Sequence, residues 1–187
     1  MNEHQVLSNE QAQLSLAQNI DDTIETPEQE GLKFLTFSVN GGIYGCEIEK
    51  IKEIIEYGSV TRVPLTPQYL RGVINLRGSV VPVVDLATRL GKATNPVSKR
   101  TCIIIIEMNS IDDEIVDISF VVDEVDEVVS FSDEQIIAAP QFGTDIRADF
   151  ISGMGKLNGE FIILLDLEEV LSIIELSALV DLESNGK

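Results

Sequence analysis

Carboxylates crowd one short stretch of the sequence, where Asp123, Glu124, Asp126 and Glu127 stand almost side by side. Such a group is raw material for a calcium site or for paired acid/base chemistry. The run lacks the spacing and the glycine of a calcium loop. It alternates with Val121, Val122, Val125 and Val128, which fits the solvated face of a β-strand. A carboxylate hydrolase finds no support elsewhere. The single histidine, His4, lies in a polar N-terminal segment, so no His/Cys metal cluster can be assembled. Cys46 and Cys102 sit in apolar, strand-like surroundings, the setting of buried, inert thiols. Gly72, Gly78, Gly153 and Gly159 are not followed by the Lys-Ser/Thr pair of a phosphate-binding loop. These readings predict a chain that is not an enzyme and uses no cofactor or metal.

The charge points the same way. Thirty-two acidic against 13 basic residues give a net charge of −19. Phosphate backbones and anionic lipid surfaces would repel such a chain. A nucleic-acid module is therefore disfavoured, and solubility is the plain reading of the acids. No apolar run approaches the ~18 residues of a membrane span, and the N-terminus lacks the flanks of a signal peptide. Two cysteines make no disulfide framework, and a reducing cytosol suits them.

The elements that must position any binding residue are mostly strands. Residues Met1–Glu30 contain seven acidic residues and no Lys, Arg or aromatic residue, which predicts a disordered acidic tail over 1–31. Leu16, Ile20 and Ile24 recur in it at helical spacing, a weak sign of a transient helix or docking segment. From Leu32 the pattern becomes β-rich. Strands are expected at Leu32–Val39 and Ile43–Ile48, joined by the Asn40-Gly41-Gly42 turn. Ile51–Tyr57 fits either a strand or a helix. Further strands are expected at Val73–Leu76 and Val80–Val84. Asp85 then reads as a helix N-cap, with the helix ending by Gly91. Lys92–Arg100 reads as a linker. The pattern restarts with a hairpin at Cys102–Met108 and Ile115–Val122, a strand at Val125–Phe131 and another at Phe161–Leu165. Asp166 is expected to cap a helix running to about Leu179, with a frayed tail over 181–187.

The second half repeats the first. Gly72, Leu76, Gly78, Asp85, Leu86 and Leu90 match Gly153, Leu157, Gly159, Asp166, Leu167 and Leu171 at one constant offset. Ile48–Ile55 matches Val122–Val129 at a slightly shorter offset, which pairs Glu53 with Glu127. The shared frame is architectural: glycines for tight turns or close approach, a leucine in the core, an aspartate at a helix start. It predicts two small sheets or barrels of about five strands, one over about 32–91 and one over about 100–180. One position breaks the repeat in an informative way. Arg77 corresponds to Asn158, and a purely architectural turn has no need of a guanidinium in one copy only.

The segments GVINLRGSVVPVVDL (Gly72–Leu86), YGCEIEKIKEIIEY (Tyr44–Tyr57), VTRVP (Val60–Pro64) and VVDEVDEVV (Val121–Val129) resemble the CheW-like family, the coupling proteins of bacterial chemotaxis. The resemblance runs from about Lys33 to Leu179. It implies a mainly β fold of two five-stranded SH3-like barrels related by a pseudo-two-fold repeat, with short helices and a C-terminal helix. Strands can be exchanged between the barrels, so the repeat boundaries are approximate. It implies a non-catalytic adaptor that joins the cytoplasmic tips of methyl-accepting chemoreceptors to the regulatory domain of the histidine kinase CheA. Such an adaptor is cytoplasmic and is recruited to receptor arrays at the inner membrane face. A coupling role in surface motility or another chemosensory pathway is the alternative. By position, Arg77 matches the family's receptor-contacting arginine and Glu53 its carboxylate partner. Ile51, Val125 and Val128 match apolar groove positions. The kinase contacts are tied to no motif.

Overall fold

Alternation and turn chemistry decide where the strands lie. The computed structural model describes residues 31–110, 112–140, 143–172, 175–179 and 181. The acidic tail, its helical periodicity, His4 and residues 182–187 lie outside them. Strand β1 (Leu32–Val39) turns through Asn40-Gly41 into β2 (Gly42–Glu47). A short 3-10 turn, Ile48–Lys50, leads to β3 (Ile51–Glu56). This is the segment that fitted two structures. It is a strand because it pairs antiparallel along β6, from Ile51 opposite Ile106 to Glu56 opposite Cys102. Next come β4 (Leu70–Leu76), β5 (Ser79–Asp85) and the one-turn helix α1 (Leu86–Arg89). The second half supplies β6 (Cys102–Asn109), β7 (Ile115–Val122), β8 (Glu124–Phe131), the two-residue β9 (Ile136–Ile137), β10 (Ile151–Leu157) and β11 (Glu160–Leu165).

The strands form two sheets, in the orders β3-β6-β7-β5-β4 and β8-β1-β2-β11-β10-β9. Each sheet takes one hairpin from the other half of the chain. Hairpin β6–β7 sits between β3 and β5, and hairpin β1–β2 sits between β8 and β11. The two seams are parallel pairings: β5 with β7 (Val83 opposite Ser119) and β11 with β2 (Ile163 opposite Tyr44). All other strand pairs are antiparallel.

This exchange explains the run of four isoleucines in β6. Ile103 and Ile105 fill the core of the first sheet with Ile74, Val81, Val83 and Val121. Ile104 and Ile106 face a larger core shared by both sheets. All four are fully buried. Strand β1 does the same in the other sheet: Phe34 packs with Val129, Phe131, Ile162 and Leu164, while Leu35 and Phe37 enter the shared core. A strand buried on both faces reads as a continuous apolar run rather than an alternating one. Burying one isoleucine side chain contributes roughly 1.5–3 kcal/mol, so these central strands anchor the structure.

The helix expected to run from Asp166 does not start there. Residues 167–170 form turns, and among the described residues helical geometry is seen at 175–179. Asp166 Oδ1 accepts the Glu168 N–H at 3.1 Å. The helical segment has its own start: Ser172 Oγ accepts the Glu175 N–H, and the Glu175 carboxylate accepts the Ser172 N–H. This reciprocal pair is a capping box, and its Ser-x-x-Glu signature was present in the sequence. Asp85 behaves as expected of a cap, accepting the Thr88 N–H at 3.1 Å. It also holds Arg71 at 2.8 Å and Thr94 at 2.8 Å, which ties the supposed linker to the sheet.

Candidate functional site

Two hairpin turns, one per repeat, are built alike. In the β4–β5 turn, Arg77 and Gly78 have φ of 51° and 92°. In the β10–β11 turn, Asn158 and Gly159 have φ of 51° and 87°. Positive φ at both central residues is the pattern of a type I′ turn, for which Asn-Gly is a favoured pair. Asn158 fits that preference. Arginine does not, since an L-residue with a Cβ is disfavoured in the left-handed region by roughly 1–2 kcal/mol.

The turn projects Arg77 to Glu53 on β3, with Nη2 donating to Oε1 at 2.8 Å. The Arg77 side chain keeps 71% of its surface exposed, against 26% for Glu53. The second Glu53 oxygen, Oε2, is buried and has no hydrogen-bond partner. Glu53 follows a β-bulge between Ile51 and Glu53, which sets the carboxylate out toward the turn. Beside it Lys52 bridges Glu107 at 2.8 Å and Asp117 at 2.9 Å. Hydrogen bonds to Glu107 and Asp117 hold its ammonium above the ordinary lysine range. Lys52, Glu53, Glu107, Asp117 and Arg77 thus form a patch of opposed charges on one sheet. The role of Lys52 was invisible in the sequence, because its partners come from the exchanged hairpin.

The apolar candidates are distributed differently. Ile51 and Val125 are half-buried and pack against the shared core. They hold corresponding places, Ile51 opposite Ile106 and Val125 opposite Phe37, each just before a bulge. Val128 is 47% exposed on β8. The direct contact among the five candidates is the Arg77–Glu53 pair. Ile51 and Val125 share a core, and Val128 faces solvent.

Gly72 and Gly153, expected at turns, lie instead inside β4 and β10, each at a bulge. Gly72 has φ of 145°, and a Cβ there would lie 2.1 Å from the Thr61 carbonyl oxygen. Its counterpart Gly153 would bring a Cβ to 2.9 Å from the Ile136 side chain and 3.1 Å from the Ile137 carbonyl oxygen. Both therefore allow a neighbouring segment to approach closely.

A second feature escaped the sequence reading. Arg89 at the end of α1 donates to the Val170 carbonyl and pairs with Glu175 at 2.9 Å. Its guanidinium lies 4.8 Å from the Tyr69 ring and 5.5 Å from the Phe150 ring. It clasps the first repeat to the C-terminal segment. Nothing local in the sequence distinguishes this arginine from an exposed one.

What the arrangement offers is an exposed charged pair and partly exposed apolar side chains. Burial pushes the Cys46 thiol up to about 12, and burial also raises Cys102, so neither is a ready thiolate nucleophile. Among the described residues, no group of three or more His, Cys, Asp or Glu side chains is disposed to hold a metal ion. Among them, too, no helix is long and apolar enough to cross a membrane.

Comparison with known proteins agrees with this architecture. The CheW-like domain model matches residues 33–175. The chain is 37% identical to the chemotaxis protein CheW of Klebsiella aerogenes over 154 residues, covering 82% of this chain and 89% of that protein. It is 33% identical to the chemotaxis protein CheW of Bacillus subtilis, covering 83% and 90%. The crystal structure of the scaffolding protein TtCheW from Thermoanaerobacter tengcongensis superposes with a TM-score of 0.69 at 31% identity, covering 78% of this chain and 91% of that one. The two-sheet, mainly β fold expected from the sequence is the one observed, and the chain belongs to the CheW-like domain family.

Proposed function

We propose that this protein is a non-catalytic adaptor of a chemosensory array, coupling the cytoplasmic tips of chemoreceptors to the histidine kinase CheA, with Arg77 and Glu53 at the receptor contact. Several named relatives are chemotaxis proteins, and one solved relative is a scaffolding protein. The observation that carries the residue assignment is the backbone of Arg77. An arginine stands at φ 51°, where its repeat counterpart is the favoured asparagine. An exposed ion pair returns at most about 1 kcal/mol, roughly what the backbone conformation costs. Folding alone therefore gives no reason for the guanidinium. Its planar, forked donors suit recognition of a carboxylate or carbonyl on a partner. Glu53 orients it, and Ile51, Val125 and Val128 supply apolar surface. The adaptor acts in the cytoplasm, at the membrane face where receptor tips gather.

The test is reconstitution. A receptor cytoplasmic fragment, the kinase and this chain are combined, and kinase autophosphorylation is followed with and without the chain. Receptor control of the kinase is expected only when the chain is present. Arg77→Asn is expected to keep the fold and the kinase interaction while losing the receptor fragment. Failure of the wild-type chain to bind either partner overturns the function. Undiminished receptor binding by Arg77→Asn overturns the residue assignment alone.

A further inference from the structure

The two sheets present equivalent faces with opposite chemistry. Strand register makes the comparison residue by residue. Ile51 and Val125 stand before matching bulges, so Lys52 corresponds to Asp126 and Glu53 to Glu127. Ile106 lies opposite Ile118 in one sheet, and Phe37 lies opposite Tyr44 in the other. Asp117 therefore corresponds to Ile43, and Glu107 to Ser38. The hairpin turns add Arg77 against Asn158, and Val80 against Phe161. On the first sheet the acids have cations beside them: Lys52 with Glu107 and Asp117, Arg77 with Glu53. On the second sheet both cation positions are lost, one of them to an aspartate.

A cavity of about 520 Å³ occupies this second face, lined by Ile43, Asp126, Glu127, Asn158, Glu160 and Phe161. Ile43 and Phe161 are 51% and 53% exposed, a large apolar exposure for two side chains beside a cavity. Asp123 and Glu124, which flank it in sequence, have partners: Asp123 accepts from Asn40 and Asn95, and Glu124 pairs with Arg100. The carboxylates of Asp126, Glu127 and Glu160 form no ion pair among the described residues. Burial, then Glu124 and Glu127, raise the Asp126 carboxyl above its ordinary range, so the face carries uncompensated like charge. Lys156 stands 5.9 Å from the centre of the Phe161 ring, which shows a cation accommodated by that ring without neutralising the acids.

We infer that this cavity docks a protein partner through an arginine or lysine flanked by apolar residues, supplying from another molecule the cation that the first sheet carries within the chain. The carboxylates take the charge, the Phe161 face and Ile43 take the flanking apolar groups, and the combination favours a cationic over an anionic segment. Arg77 and Glu53 enter this inference only as the comparison and line no part of the cavity, although Asp126 and Glu127 stand between Val125 and Val128 of the proposed receptor surface.

The probe is the peptide acetyl-Leu-Arg-Leu-amide, titrated into the ¹⁵N-labelled full chain and followed by amide shifts. Saturable shifts are expected at Ile43, Asp126, Glu127 and Phe161. The charge-reversed peptide acetyl-Leu-Glu-Leu-amide is expected to cause none. The double variant Asp126→Asn, Glu127→Gln removes charge at exposed positions and keeps the fold, and it is expected to weaken binding by about fivefold, the upper range for exposed charge pairs. Arg77→Asn is expected to leave the peptide affinity unchanged. Equal shifts with both peptides, shifts confined to other surfaces, or no loss in the double variant would overturn the inference. So would concentration-dependent shifts of the same four residues without peptide, which would identify the occupant as a second copy of the chain.

Discussion

Arg77-Gly78 and Asn158-Gly159 are the same turn used for different ends. Both follow a strand, both have two residues at positive φ, and both precede a strand that leads to an aspartate. The Asn-Gly copy has the residues that the backbone prefers. The Arg-Gly copy departs from that preference at the position whose side chain bonds Glu53. A repeat therefore works as an internal control. Whatever both copies share is needed to fold, and what only one copy has calls for another explanation. The same logic distinguishes the faces beneath the turns, one charge-balanced and one acidic with exposed apolar groups.

The comparison breaks most severely in what the copies share. Ile104 and Leu35 hold corresponding places in the shared core and are buried. Ile104→Ala and Leu35→Ala are each expected to cost about 2–5 kcal/mol, measured by urea unfolding. A cost below about 1 kcal/mol at either site would show that the central core is not the common anchor.

The glycines sharpen the comparison next. Gly72→Ala is expected to lose roughly 3 kcal/mol, because its Cβ would meet a backbone oxygen at 2.1 Å and its φ is positive. At Gly153 the closest obstacle is a side-chain methyl, and Gly153→Ala is expected to cost about 1 kcal/mol. Equal losses would mean that the two bulges are not under different constraint.

Exchanging the turn residues separates folding from binding. Arg77→Asn is expected to change stability by less than about 1 kcal/mol, since relief of the left-handed backbone offsets the lost ion pair. Asn158→Arg is expected to cost about 1 kcal/mol with no gain in receptor binding. A large destabilisation by Arg77→Asn would make that arginine structural after all.

The smallest effect concerns pH. The folded-state pKa of Asp126 is raised, by burial first and then by Glu124 and Glu127. The stabilising sign of a raised carboxyl holds below its unfolded pKa, near 3.8, and is lost as pH rises through the folded value. At neutral pH the ionised Asp126 therefore opposes folding slightly. Asp126→Asn is expected to stabilise the protein at pH 7 by under about 0.5 kcal/mol. Denaturation curves of the two proteins should converge below pH 3.8. Convergence at high pH instead would reverse the assignment.

Much of the molecule was legible because its instructions are local. The turn pairs Asn40-Gly41, Arg77-Gly78 and Asn158-Gly159 mark hairpins, and the strands beside them follow from alternation and β-branched composition. Asp85 marks a helix start, and the repeat announces two similar sheets. The later start of the C-terminal helix was also written locally, in Ser172 and Glu175, but Asp166 was read as its cap.

Tertiary structure alone decided which strands meet. Ile51–Glu56 had two plausible forms until β6 paired with it. The exchange of hairpins placed Asp117 beside Lys52 and carried Ile43 to the cavity of the other sheet. Arg89 became a clasp only when Val170 and Glu175 arrived beside it. The physical reason is that φ preferences and caps are fixed by a few neighbouring residues, whereas sheet partners are chosen by burying both faces of β1 and β6 at once. In the opposed turns both levels meet: sequence determined that one carries arginine and the other asparagine, and the fold determined that the arginine would find Glu53.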